Sequence, residues 1–313
     1  MAVNNFYEAI IVNKRKSLII VIGFILFVGL VVYVLAQAMA YYFGYAPGGI
    51  GIVGLAFMVS GAMSFFGYYY SDKVILTMSG ARPADRKRDF EFYTVAENMA
   101  LAAGLPVPKL YVIEDDAPNA FATGRDPEHA AVCATRGLLN RLNRTELEGV
   151  IGHEMTHVRN YDTRLGAIVA VLVGIVALLG DWFLRMSFWG SRGRNRNRDE
   201  GGQLGAIFVV LGFIFALLSP IVATLIQLAI SRRREFIADA GSVELTRQPS
   251  GLIHALEKIS VVDEPLREAN KATAHLYIVN PFKEGHGAVS WFSNLFNTHP
   301  PVKDRITALQ KMM

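Results

Sequence analysis

From Ser17 to Ser71 the chain carries no charged side chain, a run far longer than the roughly 20 apolar residues that one helix needs to cross a bilayer. Two crossings fit it better than one. The break falls at Tyr41-Tyr42-Phe43-Gly44-Tyr45-Ala46-Pro47-Gly48-Gly49, where interfacial aromatics meet turn-forming Pro and Gly. A cleaved signal peptide would also place Lys14, Arg15 and Lys16 before an apolar stretch, but this stretch is too long and a second span follows at once. A second apolar pair runs from about Leu165 to Leu184 and from about Leu204 to Ile230, joined by a loop holding Arg185, Arg192, Arg194, Arg196 and Arg198. It reads either as two full crossings or as a re-entrant hairpin. In both cases residues 157 and 235 end on the same side.

Between and after these pairs the pattern becomes that of a water-exposed domain. Residues 90 to 103 read as a helix stopped by Gly104 and Pro106, and Lys109 to Glu114 has strand composition. Asn119 to Gly124 and Ala130 to Thr135 flank the turn segment Arg125-Asp126-Pro127-Glu128-His129 and predict a β-hairpin. Thr145-Glu146-Leu147-Glu148 has the Thr-x-x-Glu pattern of a capping box, so a helix is expected to begin there.

Composition agrees with this division. The 313 residues are 52% hydrophobic, with a mean hydropathy of +0.31, yet include 31 Lys and Arg and 27 Asp and Glu, the balance of a protein that is part membrane and part polar domain. The net charge of +4 is modest, and the basic residues sit beside apolar runs rather than among stacking aromatics, so nucleic-acid binding is not expected. Lys14, Arg15 and Lys16 precede the first hairpin, and Lys73, Arg82, Arg86, Lys87 and Arg88 follow it, which places both flanks in the cytoplasm. The single cysteine, Cys133, cannot close an intrachain disulfide and reads as a small buried hydrophobe.

The candidate chemistry is His153-Glu154-Met155-Thr156-His157. On a helix, residues four apart share one face, so two imidazoles can grip one metal ion, with Glu154 beside them as a general base. Glu235 and Asp239, again four apart, follow the last apolar run. A catalytic zinc needs three protein ligands and an open position. Glu235 is the candidate third ligand, and Asp239 is expected to hold the far nitrogen of a ligand histidine. The rival reading of both carboxylates is as solvated partners of Arg232, Arg233 and Arg234. The remaining histidines His129, His254, His275 and His286 show no metal spacing to one another.

These residues resemble the HtpX-type membrane metalloproteases, which are related to the prenyl-protein (CAAX) endopeptidases. The resemblance runs over nearly the whole chain and is carried by Asn119 to Gly124, His153 to Asp162, Glu235 to Asp239 and His299-Pro300-Pro301-Val302-Lys303-Asp304-Arg305-Ile306. It implies a multi-pass protein of the bacterial plasma (inner) membrane whose active site faces the cytoplasm. It also implies one Zn2+ per chain, and cleavage of internal peptide bonds in damaged or misfolded membrane proteins and unfolded polypeptides during stress. By the same resemblance Asn119, Ala120, Phe121 and Ala122 form the sheet edge on which substrate lies as an added strand. His299 is implied as a donor to the developing oxyanion, and Arg305 as a partner for an acidic residue of the zinc site.

The expected fold class is therefore α+β: a mainly helical integral membrane protein with about four membrane-inserted helices and a cytosolic zincin-like protease domain with a small sheet. Residues 1–71 form the first membrane hairpin and 72–164 the first part of the catalytic domain. Residues 165–230 form the second hairpin, with its arginine-rich loop at 185–203, and 231–313 the rest of the catalytic domain. Two rivals differ in kind. A protease for one prenylated peptide needs an enclosed chamber, for which four spans are few, and a metal carrier or receptor needs intramembrane carboxylates or histidines, of which Ser17 to Ser71 has none.

Overall fold

A computed structural model describes residues 11–23, 50–171, 232–262 and 300–313, together with positions 25, 26, 30, 33, 266, 273 and 276–279. The arginine-rich loop, most of the second apolar pair and His299 lie outside the described residues. Among the described residues no helix is long and apolar enough to cross a membrane. The helix α1 (Ile50–Met78) continues beyond Ser71 and carries Asp72 and Lys73.

Four strands form one mixed sheet. β1 (Arg82–Pro83), β2 (Lys109–Ile113), β3 (Ala120–Thr123) and β4 (Ala131–Thr135) lie in the order β1-β2-β4-β3. β2 runs parallel to β4, while β1 with β2 and β3 with β4 pair antiparallel. The expected hairpin is thus β3 and β4, joined through a short 3-10 turn at Pro127–His129. Its strands are buried on both faces, so they read as unbroken apolar runs rather than an alternation. Val132 and Ala134 face the main core while Ala131 and Cys133 face a second one, where Ile75 and Leu76 of α1 and Ala167 and Ala170 of the helical residues 162–171 pack. Burial pushes the Cys133 thiol well above its ordinary pKa, leaving it an inert core residue.

The helices of the polar domain are α2 (Phe90–Ala103), α3 (Arg136–Arg141), α4 (Arg144–Arg159), α5 (Arg232–Thr246), α6 (Pro249–Val261) and α7 (Val302–Gln310). α2 ends as its sequence predicts, at Gly104 with φ 66°. α4 begins two residues earlier than the Thr145–Glu148 pattern suggests. The capping box is Asn143 with Glu146: the Asn143 side chain accepts from the Glu146 N–H at 3.0 Å, and the Glu146 carboxylate accepts from the Asn143 N–H at 2.9 Å. Both tetrads fit the motif, but Glu146 is buried and held by Lys258 at 2.7 Å. Glu148 instead pairs with Arg144 on the surface, one turn back, at 3.1 Å. Leu147, Val150, Ile151, Met155 and Val158 then bury one face of α4 against α2, α6 and the sheet.

Candidate metal centre

The site is built where α4 and α5 cross. The buried face of α5 carries no large apolar side chain: its inward residues are Glu235, Ala238, Asp239, Gly241 and Ser242. Small residues let the two backbones approach. A Cβ at Gly241 would stand 2.4 Å from Thr156 Cγ2, a Cβ at Gly152 would stand 3.1 Å from Ser242 Oγ, and Ser242 Oγ donates to the Gly149 carbonyl at 2.6 Å. That approach brings the Glu235 carboxylate onto the histidines of α4. We expect Gly241→Val to force α5 away from Thr156, costing about 1–3 kcal/mol of stability and most of the bound metal. Thermal unfolding with and without added zinc measures both; unchanged zinc content would show that the close approach is not what seats Glu235.

His153, Glu154 and Glu235 are buried and His157 is nearly so. Nδ1 of His153 lies 2.9 Å from Asp239 Oδ1, and Nδ1 of His157 lies 3.0 Å from Asp162 Oδ2. Each carboxylate therefore accepts a hydrogen bond from Nδ1–H, which leaves Nε2 as the nitrogen turned inward to ligate. The two Nε2 atoms face each other at 3.2 Å, with Glu235 oxygens 3.7 and 3.6 Å from them. Ligand atoms of His153, His157 and Glu235 all lie within 4.8 Å of one another, which makes them a group able to hold a metal ion.

The surrounding charges favour a dication. Glu154, Glu235, Asp239 and Asp162 are four carboxylates in and around the pocket, against the guanidiniums of Arg305 and Arg234. Burial opposes charge on His157, but Asp162, Glu235 and Glu154 outweigh it and raise its pKa to about 9, whereas burial and Arg305 press His153 down to about 4. A proton on His157 supplies part of the missing positive charge, and a divalent ion bound between the same atoms replaces it. Two imidazoles and one carboxylate form the donor set of a catalytic zinc site, so these residues fit the metal the sequence implies.

Arg305 completes the framework. It is fully buried, donates from Nε and Nη2 to the two oxygens of Asp239 at 2.9 and 2.6 Å, and from Nη1 to the Ile278 carbonyl at 3.0 Å. Its Nη2 lies 3.3 Å from His153 Nδ1, a contact between two donors that share Asp239 Oδ1. The structure thus sets Arg305 against Asp239, and Asp239 against the Nδ1 of His153. Spacing along the chain does not single out Asp162 for this place. It lies five residues after His157 and reaches back only because the chain reverses at Asn160 and Tyr161.

A cleft opens over the group, lined by Ala122, His153, Glu154, His157, Asp162, Thr163, Gly166, Arg234, Glu235, Leu276 and Ile278. The Ala122 N–H donates to the Glu154 carboxylate, and burial, with Glu235 adding to it, pushes the Glu154 pKa up to about 7. Of the four edge residues expected to carry substrate, Ala122 alone lines the cleft. Phe121 is buried edge-on against Tyr277, with ring centres 5.0 Å apart. The outward carbonyl of Ala120 accepts from the Ile278 N–H at 2.9 Å, and the Asn119 amide brackets Val279, donating to its carbonyl at 2.9 Å and accepting from its N–H at 3.4 Å.

The sequence profile of peptidase family M48 matches residues 86–313. The chain belongs to this family. Curated relatives agree over the full length. A "Protease HtpX homolog" of Dictyoglomus thermophilum is 45% identical over 307 residues, covering 98% of this chain and 95% of that protein. Another, of Caldanaerobacter subterraneus subsp. tengcongensis, is 43% identical over 312 residues, covering 100% and 99%. Among solved structures, Ste24p of S. mikatae aligns with a TM-score of 0.46 at 17% identity, over 97% of this chain and 67% of that one. The chain is accordingly a metalloprotease, and the histidine pair with Glu235 lies within the matched residues.

Proposed function

We propose that the protein is a zinc-dependent endopeptidase of the bacterial plasma membrane, with its active site on the cytoplasmic side, that cleaves internal peptide bonds of damaged membrane proteins and unfolded polypeptides. The observation that carries the reading is the convergence of His153, His157 and Glu235 at the base of a cleft that also presents a buried carboxylate, Glu154, and a strand-edge residue, Ala122. Zinc held by the three ligands would bring the pKa of a bound water towards roughly 7 and polarise the scissile carbonyl. Glu154 takes the proton from the attacking water and returns it to the leaving amine. Its raised pKa suits both halves of that task. Asp239 and Asp162 hold the imidazoles in the tautomer that ligates, and Arg305 keeps Asp239 ionised and in place.

Residues two apart on an antiparallel strand turn their backbone groups to the same side. Ala122 therefore faces outward like Ala120, and with its N–H given to Glu154 its carbonyl is the group that an extended substrate can pair with, beyond the part of β3 covered by Ile278. Main-chain pairing gives affinity with little sequence preference, which suits many unfolded clients. The test is casein cleavage by the purified full chain. Chelation should abolish it and zinc should restore it, with internal fragments as products. Release of single terminal residues, or cleavage indifferent to chelation, would contradict the reading.

Membrane insertion is supported by the uncharged run from Ser17 to Ser71 and by exposed apolar side chains along its described helices, including Ile19, Ile22, Leu26 and Leu30 and, on α1, Met58, Phe65 and Phe66. Lys87 and Glu257 are exposed on the polar domain. Cysteines at either position should resist an impermeant thiol reagent applied to intact cells, while buried Cys133 stays silent in both. Labelling from outside would overturn the cytoplasmic assignment. Asn195→Cys then distinguishes full crossing by the second pair, which exposes the site outside, from a re-entrant hairpin, which protects it.

A further inference from the structure

Asn13 is only 2% exposed, although its neighbours Ile11 and Val12 on the same helix are exposed. A buried amide on such a helix calls for partners, and every group of this one is used. Its Nδ2 donates to the Asn160 carbonyl at 2.9 Å and to Asp162 Oδ1 at 2.7 Å, and its Oδ1 accepts from Arg234 Nη1 at 3.1 Å. These partners also fix which end of the amide is which. Arg234 Nη1 donates in turn to the same Asp162 Oδ1 at 3.0 Å. One oxygen of Asp162 is thus anchored by Asn13 and Arg234, and the other is left for His157 Nδ1 at 3.0 Å.

The turn that delivers Asp162 to His157 is held by the same helix. Tyr161 adopts φ 59°, a left-handed conformation that an aromatic residue disfavours and that surrounding contacts must enforce. Asn13 bonds the carbonyl of Asn160 just before it, and the Lys14 ammonium sits 4.3 Å above the Tyr161 ring. Asp162 therefore reaches His157 through a turn clamped by residues almost 150 positions earlier in the chain.

We infer that Asn13 is a positioning residue for His157, acting through Asp162, so that the seating of the amino-terminal helix sets how tightly the catalytic metal is held. The inference rests on the reading of His153, His157 and Glu235 as the zinc ligands. It makes the membrane hairpin part of the active site: a catalytic domain separated from residues 11–23 retains its ligands but loses the brace behind one of them.

The test is the zinc dissociation constant of the full chain, measured by competition with a chromogenic chelator. Loss of a direct partner of a ligating histidine typically weakens metal binding 10- to 100-fold, which is the expectation for Asp162→Ala. Asn13 acts one step further out, so Asn13→Ala should weaken zinc by about 3- to 10-fold. Ser17→Ala, which removes a hydroxyl bonded to the Asn13 backbone carbonyl and touches neither Asp162 nor the turn, should stay within about twofold. In the Asp162→Ala background, Asn13→Ala should add nothing, because its effect passes through the missing carboxylate. The same loss in both backgrounds, or no loss in either, would overturn the inference. If Asn13→Ala does not fold, Asn13→Ser carries the same cycle. A wild type that binds no zinc would refute the metal site itself, whereas zinc binding without the coupling refutes only the role of Asn13.

Discussion

Glu154→Gln is expected to keep its zinc and lose proteolysis. The substitution preserves shape and leaves His153, His157 and Glu235 untouched, so metal content should match the wild type. The amide can still accept a hydrogen bond from the Ala122 N–H that now aims the carboxylate. It cannot take a proton from water, and general-base catalysis of this kind contributes about 10²- to 10⁴-fold, so turnover should fall by at least that range with zinc unchanged. A variant with near wild-type turnover would remove Glu154 from the chemistry, and one that loses zinc would show that its charge holds the site together.

The second large effect separates the two carboxylates of α5. Glu235→Ala removes both a bond and a negative charge from the metal, leaving two imidazoles, and such a site is too weak to survive dialysis. Asp239→Ala removes the acceptor of His153 Nδ1 and the partner of Arg305 Nε and Nη2, while all three ligands remain. Zinc should then bind about 10- to 100-fold more weakly, with slow turnover. Arg305 is left fully buried without its Asp239 partner, so this variant should also be less stable than Glu235→Ala. Thermal unfolding of the metal-free proteins reads that difference.

How much of this was legible in the sequence follows from how local each feature is. His153 and His157 sit on one helix, so their spacing alone predicts a shared face. Glu235 and Asp239 followed from the same spacing, together with the argument that the chain returns to the side of the histidines. The hairpin of β3 and β4 and the end of α2 at Gly104 were equally local. The start of α4 was misplaced by two residues because two tetrads carry the same capping pattern, and burial of Glu146 decides between them. Asp162, Asn13 and Arg234 meet through a turn with positive φ and a helix from the far end of the chain, and no periodicity encodes such a meeting. The edge of β3 shows the same limit. Its strand character was readable, but that Asn119 and Ala120 are engaged by Ile278 and Val279 is a contact across about 160 residues.

The central claim is that His153, His157 and Glu235 together hold one zinc ion. Metal analysis of the purified wild type beside Glu235→Ala, after identical dialysis, tests it most directly. The proposed zinc site predicts one zinc per chain in the wild type and close to none in the variant. Full zinc occupancy in Glu235→Ala would contradict it and would place the third ligand elsewhere.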